Sequence, residues 1–187
     1  MAGVVEIINI ALSRLGESPI QSLDEGSVPA NAAKLLYDTE RRAVLRSYPW
    51  NFALKQATLA RLNQSAVDFR NSFALPADNL RVVRAWDSNT RQPQRYSTRG
   101  GCLYTDADQI TLEYVSDETD GSLYDSKFVE AMSYRLASAL AMPVKGSPEL
   151  MANFMNVYQT LVSDAAVQSA REERTGLSDN PYLEARM

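Results

Sequence analysis

An α+β fold is expected from three observations. Apolar residues recur at helical spacing in the first and last thirds of the chain. The middle third alternates with a period of two. The two patterns meet at proline and glycine breaks. The predicted architecture is a helical bundle of N- and C-terminal helices, with an antiparallel β-sheet or small open barrel inserted between them. Its predicted boundaries are 1–52 with 122–175 for the helical domain, 53–121 for the inserted β-rich domain, and 176–187 for a C-terminal tail.

The first helix is read over Val4 to Leu15, with Val4, Ile8, Ala11 and Leu15 on one face and Val5 and Leu12 beside it. Gly16 supplies a left-handed residue that ends it. "ESPIQSLDEGS" is a loop by its Ser, Pro, Asp and Gly content. A second helix is expected from Ser27, with Pro29 in its first turn, where a missing N–H costs little. It runs to about Tyr48, and Asp38 and Arg42 stand at a spacing that supports it. Pro49 stops it, because the residue before proline is pushed out of helical geometry.

The middle third changes period. "KQATLARL" (55–62), "LRVVRAW" (80–86), "QRYSTRGGCLY" (94–104) and "ITLEYVS" (110–116) alternate. The segments between them ("NQSAVDFRN", "LPADN", "SNTRQP", "TDADQ") are rich in turn residues. Arg99-Gly100-Gly101 reads as a tight hairpin turn, since glycine accepts positive φ. Alternation implies antiparallel strands with one buried and one wet face.

The last third returns to helix. Phe128, Met132, Leu136 and Ala139 share a stripe that Pro143 is expected to end. A long helix then opens with Ser147 as cap and Pro148 in its first turn. Leu150, Phe154, Val157, Leu161 and Ala165 form its apolar stripe, widened by Met151, Met155, Tyr158 and Val162. It is expected to reach about Arg174, and its stripe fades after Ala166, so its last turns project from the core. "GLSDNPYLEARM" is a polar tail.

Composition narrows the function. The net charge of −4 argues against a dedicated DNA or RNA binder. The acid is concentrated in residues 63–125, which hold six Lys/Arg against ten Asp/Glu. With no histidine, neither a Ser-His-Asp nor a Cys-His arrangement exists. The single cysteine, Cys102, allows no internal disulfide and no zinc site, so no cofactor is expected. Glu6 and Asn9 interrupt the apolar start, so no signal peptide is expected. No apolar run approaches the roughly 20 residues that cross a bilayer. A soluble, cytosol-made protein is expected.

Three groups of residues invite a functional reading. Asp106, Asp108, Asp117, Glu118 and Asp120 suggest a calcium loop, but their spacing does not fit the twelve-residue pattern, and a solvated acidic turn is the simpler reading. A carboxylate pair performing glycoside hydrolysis needs only Asp and Glu, yet no spacing singles out a pair. Arg41, Arg42 and Arg46 run into Tyr48, Pro49, Trp50 and Phe52, the elements of a single-strand nucleic-acid platform. Asp38 and Glu40 offset part of that charge. Aromatics after a helix-ending proline more often plug a junction between helices and strands, and Tyr48, Pro49, Trp50 and Phe52 are assigned to such a junction. "RGG" at 99–101 is no phosphate loop, and Met132, Met151 and Met155 read as core filler.

The order of features resembles the tail tubular protein A family of short-tailed bacteriophages and prophages. The resemblance rests on "ALSRLGESPIQSL", "AAKLLYDTERRAVLRSYPWNFA", "FALPADNLRVVRAWD", "YSTRGGCLYTDADQITLEYV" and "FVEAMSYRLASALAMPV" followed by a long helix. It implies a non-enzymatic structural protein of the virion neck, a head-to-tail adaptor with a helical and a β-rich part. It further implies a homo-oligomeric ring of twelve copies between the portal protein and the tail nozzle protein. Double-stranded DNA would pass through the channel without specific binding, and no membrane is involved. A phage-encoded nucleic-acid-binding protein or a carboxylate-based lytic protein is the alternative. The tail is expected to meet a neighbouring subunit or the portal through Pro181, Tyr182 and Leu183, supported by Arg171 and Arg174.

Overall fold

The computed structural model describes residues 3–63 and 68–175, with side chains up to Ala165. Among the described residues there are four α-helices and two antiparallel sheets that do not close into a barrel. The class is α+β, as the two periods predict.

Helix α1 (Val4–Arg14) buries Ile7, Ile8, Ala11 and Leu12. Gly16 takes φ 69°, and the Glu17 and Gly16 N–H groups donate to the carbonyls of Leu12 and Ser13, both at 3.0 Å. This is the glycine-terminated helix end expected of a left-handed residue after the last apolar position. Asn9, polar within the apolar start, clamps the following loop. Its amide donates to the Ile20 carbonyl at 3.0 Å and accepts from the Ile20 N–H at 2.8 Å.

Helix α2 (Val28–Ser47) is capped by Ser27, whose hydroxyl accepts from the Ala30 N–H at 3.3 Å. Tyr48 is extended, at φ −142° and ψ 145°, as a residue before proline should be. Helix α3 (Ser126–Leu140) starts at Asp125, whose carboxylate accepts from the Phe128 N–H at 2.7 Å. Pro143 does not mark the end of this helix. Regular geometry stops at Leu140, and a π-helical turn covers Ala141–Lys145 with Pro143 inside it. Proline lacks the N–H for the next rung and its ring crowds the carbonyl four residues back, so the last turn widens. Helix α4 (Pro148–Thr175) then spans about 42 Å.

The stripe expected on α4 needs correction. Tyr158 is buried, whereas Met151 and Val157 are each 39% exposed. The helix presents Phe154, Met155, Tyr158, Leu161, Val162 and Ala165 inward. The packed face is therefore rotated away from Val157.

Strands β1 (Leu54–Thr58), β4 (Asn79–Asp87) and β7 (Ile110–Ser116) form one sheet in the order β1-β7-β4. Strands β2 (Arg61–Leu62), β3 (Asn71–Ala74), β5 (Tyr96–Arg99) and β6 (Cys102–Thr105) form the second, in the order β2-β3-β6-β5. The alternating run 55–62 is thus not one strand. It leaves the first sheet at Leu59, whose N–H meets the Ile110 carbonyl, and enters the second at Ala60, whose carbonyl takes the Ala74 N–H. Strand β3 has no counterpart among the expected strands, because four residues between turn-rich segments are too few to display a period.

Two hydrophobic cores result. One joins α1, α2, α3 and α4 and takes in Trp50 and Val115. The other lies between the sheets and contains Leu59, Phe73, Leu103, Ile110, Leu112 and Tyr114. Strand β7 serves both, because successive side chains point to opposite faces of a sheet. Tyr114 faces the inter-sheet core and its neighbour Val115 the helical core.

Candidate functional site

The segment with the densest chemistry, Arg41 to Phe52, lies where helices meet sheet. Pro49 breaks α2 and a single 3₁₀ turn (Asn51–Ala53) delivers the chain into β1. Trp50 is 3% exposed, and its indole N–H donates to the Val44 carbonyl at 3.0 Å, so the ring is held against the end of the helix that precedes it. Its centroid lies 4.9 Å from Tyr48 and 5.3 Å from Phe128, both edge-on. Phe52 packs on Phe128 at 5.1 Å and on Tyr124 at 5.3 Å. Five rings therefore interlock, in the tilted and edge-to-face geometries that aromatic quadrupoles favour.

The three arginines are engaged by groups of the same chain. Arg41 is 2% exposed; its guanidinium donates to the Glu118 carbonyl at 2.6 Å and lies 2.7 Å from the Asp117 carboxylate. Arg42 meets the other oxygen of Asp117 at 2.9 Å. Arg46 donates to the Leu80 carbonyl at 2.7 Å, while Arg81 returns from β4 to the carbonyls of Arg46 and Ser47. The Tyr124 hydroxyl also donates to the Glu118 carbonyl, at 3.0 Å. Helix α2 is thereby tied to the exit of β7 and the start of β4. A base-stacking platform needs exposed rings and available cations. Here Trp50 and Arg41 are enclosed.

The acidic residues are distributed among separate tasks. Asp106 accepts from the Arg70 N–H, and Asp108 from the Asn71 amide. Asp117 serves Arg41 and Arg42, and Asp120 caps a turn by accepting from the Ser122 N–H. Among the described residues no group of three His, Cys, Asp or Glu side chains is placed to hold a metal ion. Asp78 accepts from the Tyr114 hydroxyl at 3.0 Å; burial first, then this bond, pushes the Tyr114 phenol up to about 12.

A second feature was not legible in the sequence. The face of the first sheet turned away from the inter-sheet core carries a groove of about 650 Å3, lined by Gln56, Arg84, Trp86, Ser88, Arg91 and Thr111 with Ala85 and Pro93. Glu113, 7% exposed, lies in the same face and is held by Arg84 and by the Gln56 amide. Burial opposes its charge, but the bonds from Arg84 and Gln56 prevail and keep its carboxyl below the usual glutamate range. Arg91 adopts φ 57°, in the left-handed region. The groove residues come from β1, β4, β7 and a turn, so no local motif announces them.

Pro181, Tyr182 and Leu183 lie outside the described residues, and the side chains of Arg171 and Arg174 do as well. The sequence reading also missed the partners that complete the junction, namely Asp117, Glu118, Tyr124 and Phe128. Their advance signals were the acidic turn at 117–120 and the place of Phe128 on the apolar stripe of α3.

Among the described residues the polar and aromatic contacts of this segment tie helix α2 to α3 and to the first sheet. The tail tubular protein family profile matches residues 5–116, and the chain belongs to that family. It is a structural tail protein of a bacteriophage. No curated protein matches the chain. Among the described residues no helix is long and apolar enough to cross a membrane.

Proposed function

We propose that the chain is a head-to-tail adaptor whose copies close into a ring between the portal and the tail nozzle, leaving a channel for double-stranded DNA. The family match over residues 5–116 carries this reading. The ring of twelve copies is part of the resemblance described above. The disposition of the arginines supports a conduit that does not grip its cargo. Arg41, Arg42 and Arg46 are engaged within the subunit, and the chain is acidic overall. Phosphate binding by free cations would retard DNA transit through counterion-release binding. No enzymatic activity forms part of the proposal.

The division into a helical domain (1–52 with 122–175) and a β-rich domain (53–121) is part of the same reading. Tyr48, Pro49, Trp50 and Phe52 would set the angle between the two. A closed ring uses two different surfaces of each copy, and the bundle and the sheets each offer one. The tail after Thr175 would engage a neighbouring subunit or the portal through Pro181, Tyr182 and Leu183, with Arg171 and Arg174 leading into it.

Electron micrographs of the purified chain mixed with portal rings test the proposal. Added density of matching rotational symmetry on the portal is expected. Salt-dependent binding of short DNA by a monomer, with no portal association, would favour the nucleic-acid-binding alternative. Truncation after Arg174 should weaken portal association while the circular dichroism of the helices persists.

A further inference from the structure

The two edges of the first sheet differ. The Leu59 N–H donates to the Ile110 carbonyl, which makes Leu59–Ile110 a hydrogen-bonded pair. Pairs alternate along an antiparallel ladder, so Ala57–Leu112 and Lys55–Tyr114 are also hydrogen-bonded pairs, and the N–H and C=O groups of Gln56 and Thr58 point away from β7. On the far side, β4 turns the same groups of Ala85 and Asp87 outward. There the chain covers its own edge: the Asp87 N–H donates to Gln92 and the Gln94 N–H to Ala85, each at 3.0 Å. On β1, no backbone group among the described residues pairs with Gln56 or Thr58. Both residues are exposed. An open edge of this kind is a template for another strand.

The groove begins at this edge. Gln56 forms its rim, and its floor crosses Thr111 to Arg84, Trp86 and Arg91. Two guanidinium groups and an indole beside one buried carboxylate suit an extended segment that carries an acid and an aromatic ring. The chain contains such a segment beyond Thr175, Ser178-Asp179-Asn180-Pro181-Tyr182-Leu183-Glu184, with two carboxylates and no cation. In an extended chain Asn180, Tyr182 and Glu184 share one face. The backbone groups of these same residues face one side, so when they pair with β1 the nitrogen of Pro181, which has no hydrogen to donate, faces solvent. This is a tolerated place for proline in an edge strand. Helix α4, which leads to the segment, packs on α3 and the π-helical turn rather than along either sheet. From Thr175 twelve extended residues can reach about 40 Å.

We propose that residues 178–184 of a neighbouring copy add as a strand to the outer edge of β1, with Tyr182 and Glu184 entering the groove toward Trp86, Arg84 and Arg91. This contact rests on the ring proposed above and names one of its inter-subunit surfaces.

The test uses a fluorescent peptide of residues 176–187 and the full-length chain carrying Tyr182→Ser and Glu184→Gln, so that its own tail does not compete. Saturable binding by anisotropy is expected. Thr58→Pro removes one outward donor and leaves the β1–β7 ladder in place, and it should weaken binding about tenfold or more. Arg91→Gly, which suits the left-handed backbone, should weaken binding several-fold, and less so at high salt. Thermal melts of both variants establish that the fold is intact. No saturable binding up to about 1 mM, or binding indifferent to Thr58→Pro, overturns the proposal.

A photo-cross-linker at position 56 in assemblies of mixed isotopic label identifies the donor chain. Mixed-label links to the 176–187 peptide are expected. Same-label links alone would mean that the tail folds onto its own body, and would overturn the proposal. Rings without the mixed-label link also overturn this contact and leave the adaptor reading standing. Peptide binding that Thr58→Pro abolishes, in a chain that joins no portal ring, supports the contact and counts against the adaptor.

Discussion

Arg41 and Asp117, one in the middle of α2 and the other just past the end of β7, form an enclosed ion pair at 2.7 Å, with the Glu118 carbonyl completing the arginine's site. Removing Arg41 leaves Asp117 with the exposed Arg42 alone and takes the charged donor from the Glu118 carbonyl. Arg41→Ala should therefore cost about 3–5 kcal/mol in urea denaturation. Arg42 shares Asp117 but is 58% exposed, and Arg42→Ala should cost under about 1 kcal/mol. Equal losses for the two variants would contradict this assignment.

Trp50 is core by burial and by its bond to the Val44 carbonyl. Trp50→Ala should destabilise by about 3–5 kcal/mol, as a large aromatic deletion with a residual cavity does. Trp50→Phe retains ring packing against Phe128 and loses the indole bond, but the Val44 carbonyl keeps the Ser47 hydroxyl at 2.7 Å, and about 0.5–1.5 kcal/mol is expected. Denaturation monitored by far-ultraviolet circular dichroism, which does not depend on the tryptophan signal, decides between these values.

Tyr37 is 6% exposed and its hydroxyl has no hydrogen-bond partner among the described residues. Burial, together with the nearby Tyr124, pushes its phenol well above the usual tyrosine value. Deleting a desolvated hydroxyl with no protein partner removes a cost rather than a bond. Tyr37→Phe should leave stability unchanged within about 0.5 kcal/mol or raise it. A loss above about 1 kcal/mol in thermal or urea melts would reveal a bridging water.

Glu113 makes stability depend on pH with a definite sign. Its folded pKa lies below the ordinary 4.5, so its contribution is present above that value and is lost as pH falls through the folded pKa. Glu113→Gln should reduce stability at pH 7, and the gap to wild type should shrink in the acid range below the ordinary value. Parallel urea titrations from pH 7 to about pH 3 measure the gap. A constant gap would mean that Glu113 carries no linked proton.

The β5–β6 hairpin turns on Gly100 and Gly101, at φ 56° and 74°. Both central residues of the two-residue turn are left-handed, the type I′ pattern. Gly101→Ala should cost about 1 kcal/mol or more through backbone strain, and Gly100→Asn should cost less, since asparagine tolerates this region. Thermal melts of the two variants should rank in that order.

Much of the fold was legible from neighbouring residues. Gly16, Ser27, Pro49 and Ser147 lie at or beside helix ends, and the period-two runs contain β4 and β7. Where the reading failed, the deciding partner was distant. Whether Val157 or Tyr158 faces inward depends on how α4 rolls on α3. The run 55–62 divides between two sheets because Ile110 and Ala74 claim successive residues of it.

The sequence by itself determined the class of fold, the succession of helical, strand and helical regions, several helix ends and the family, because each depends on residue types within one or two turns of each other. Only the tertiary structure decided what the arginines do. Arg41 and the Glu118 carbonyl are 77 residues apart, and they meet because β7 belongs to both cores and delivers its end to the side of α2. The groove arises in the same way, from strands that are adjacent in the sheet and remote in the chain. Charge along the sequence records how many arginines there are; packing determines which of them remain available to a partner.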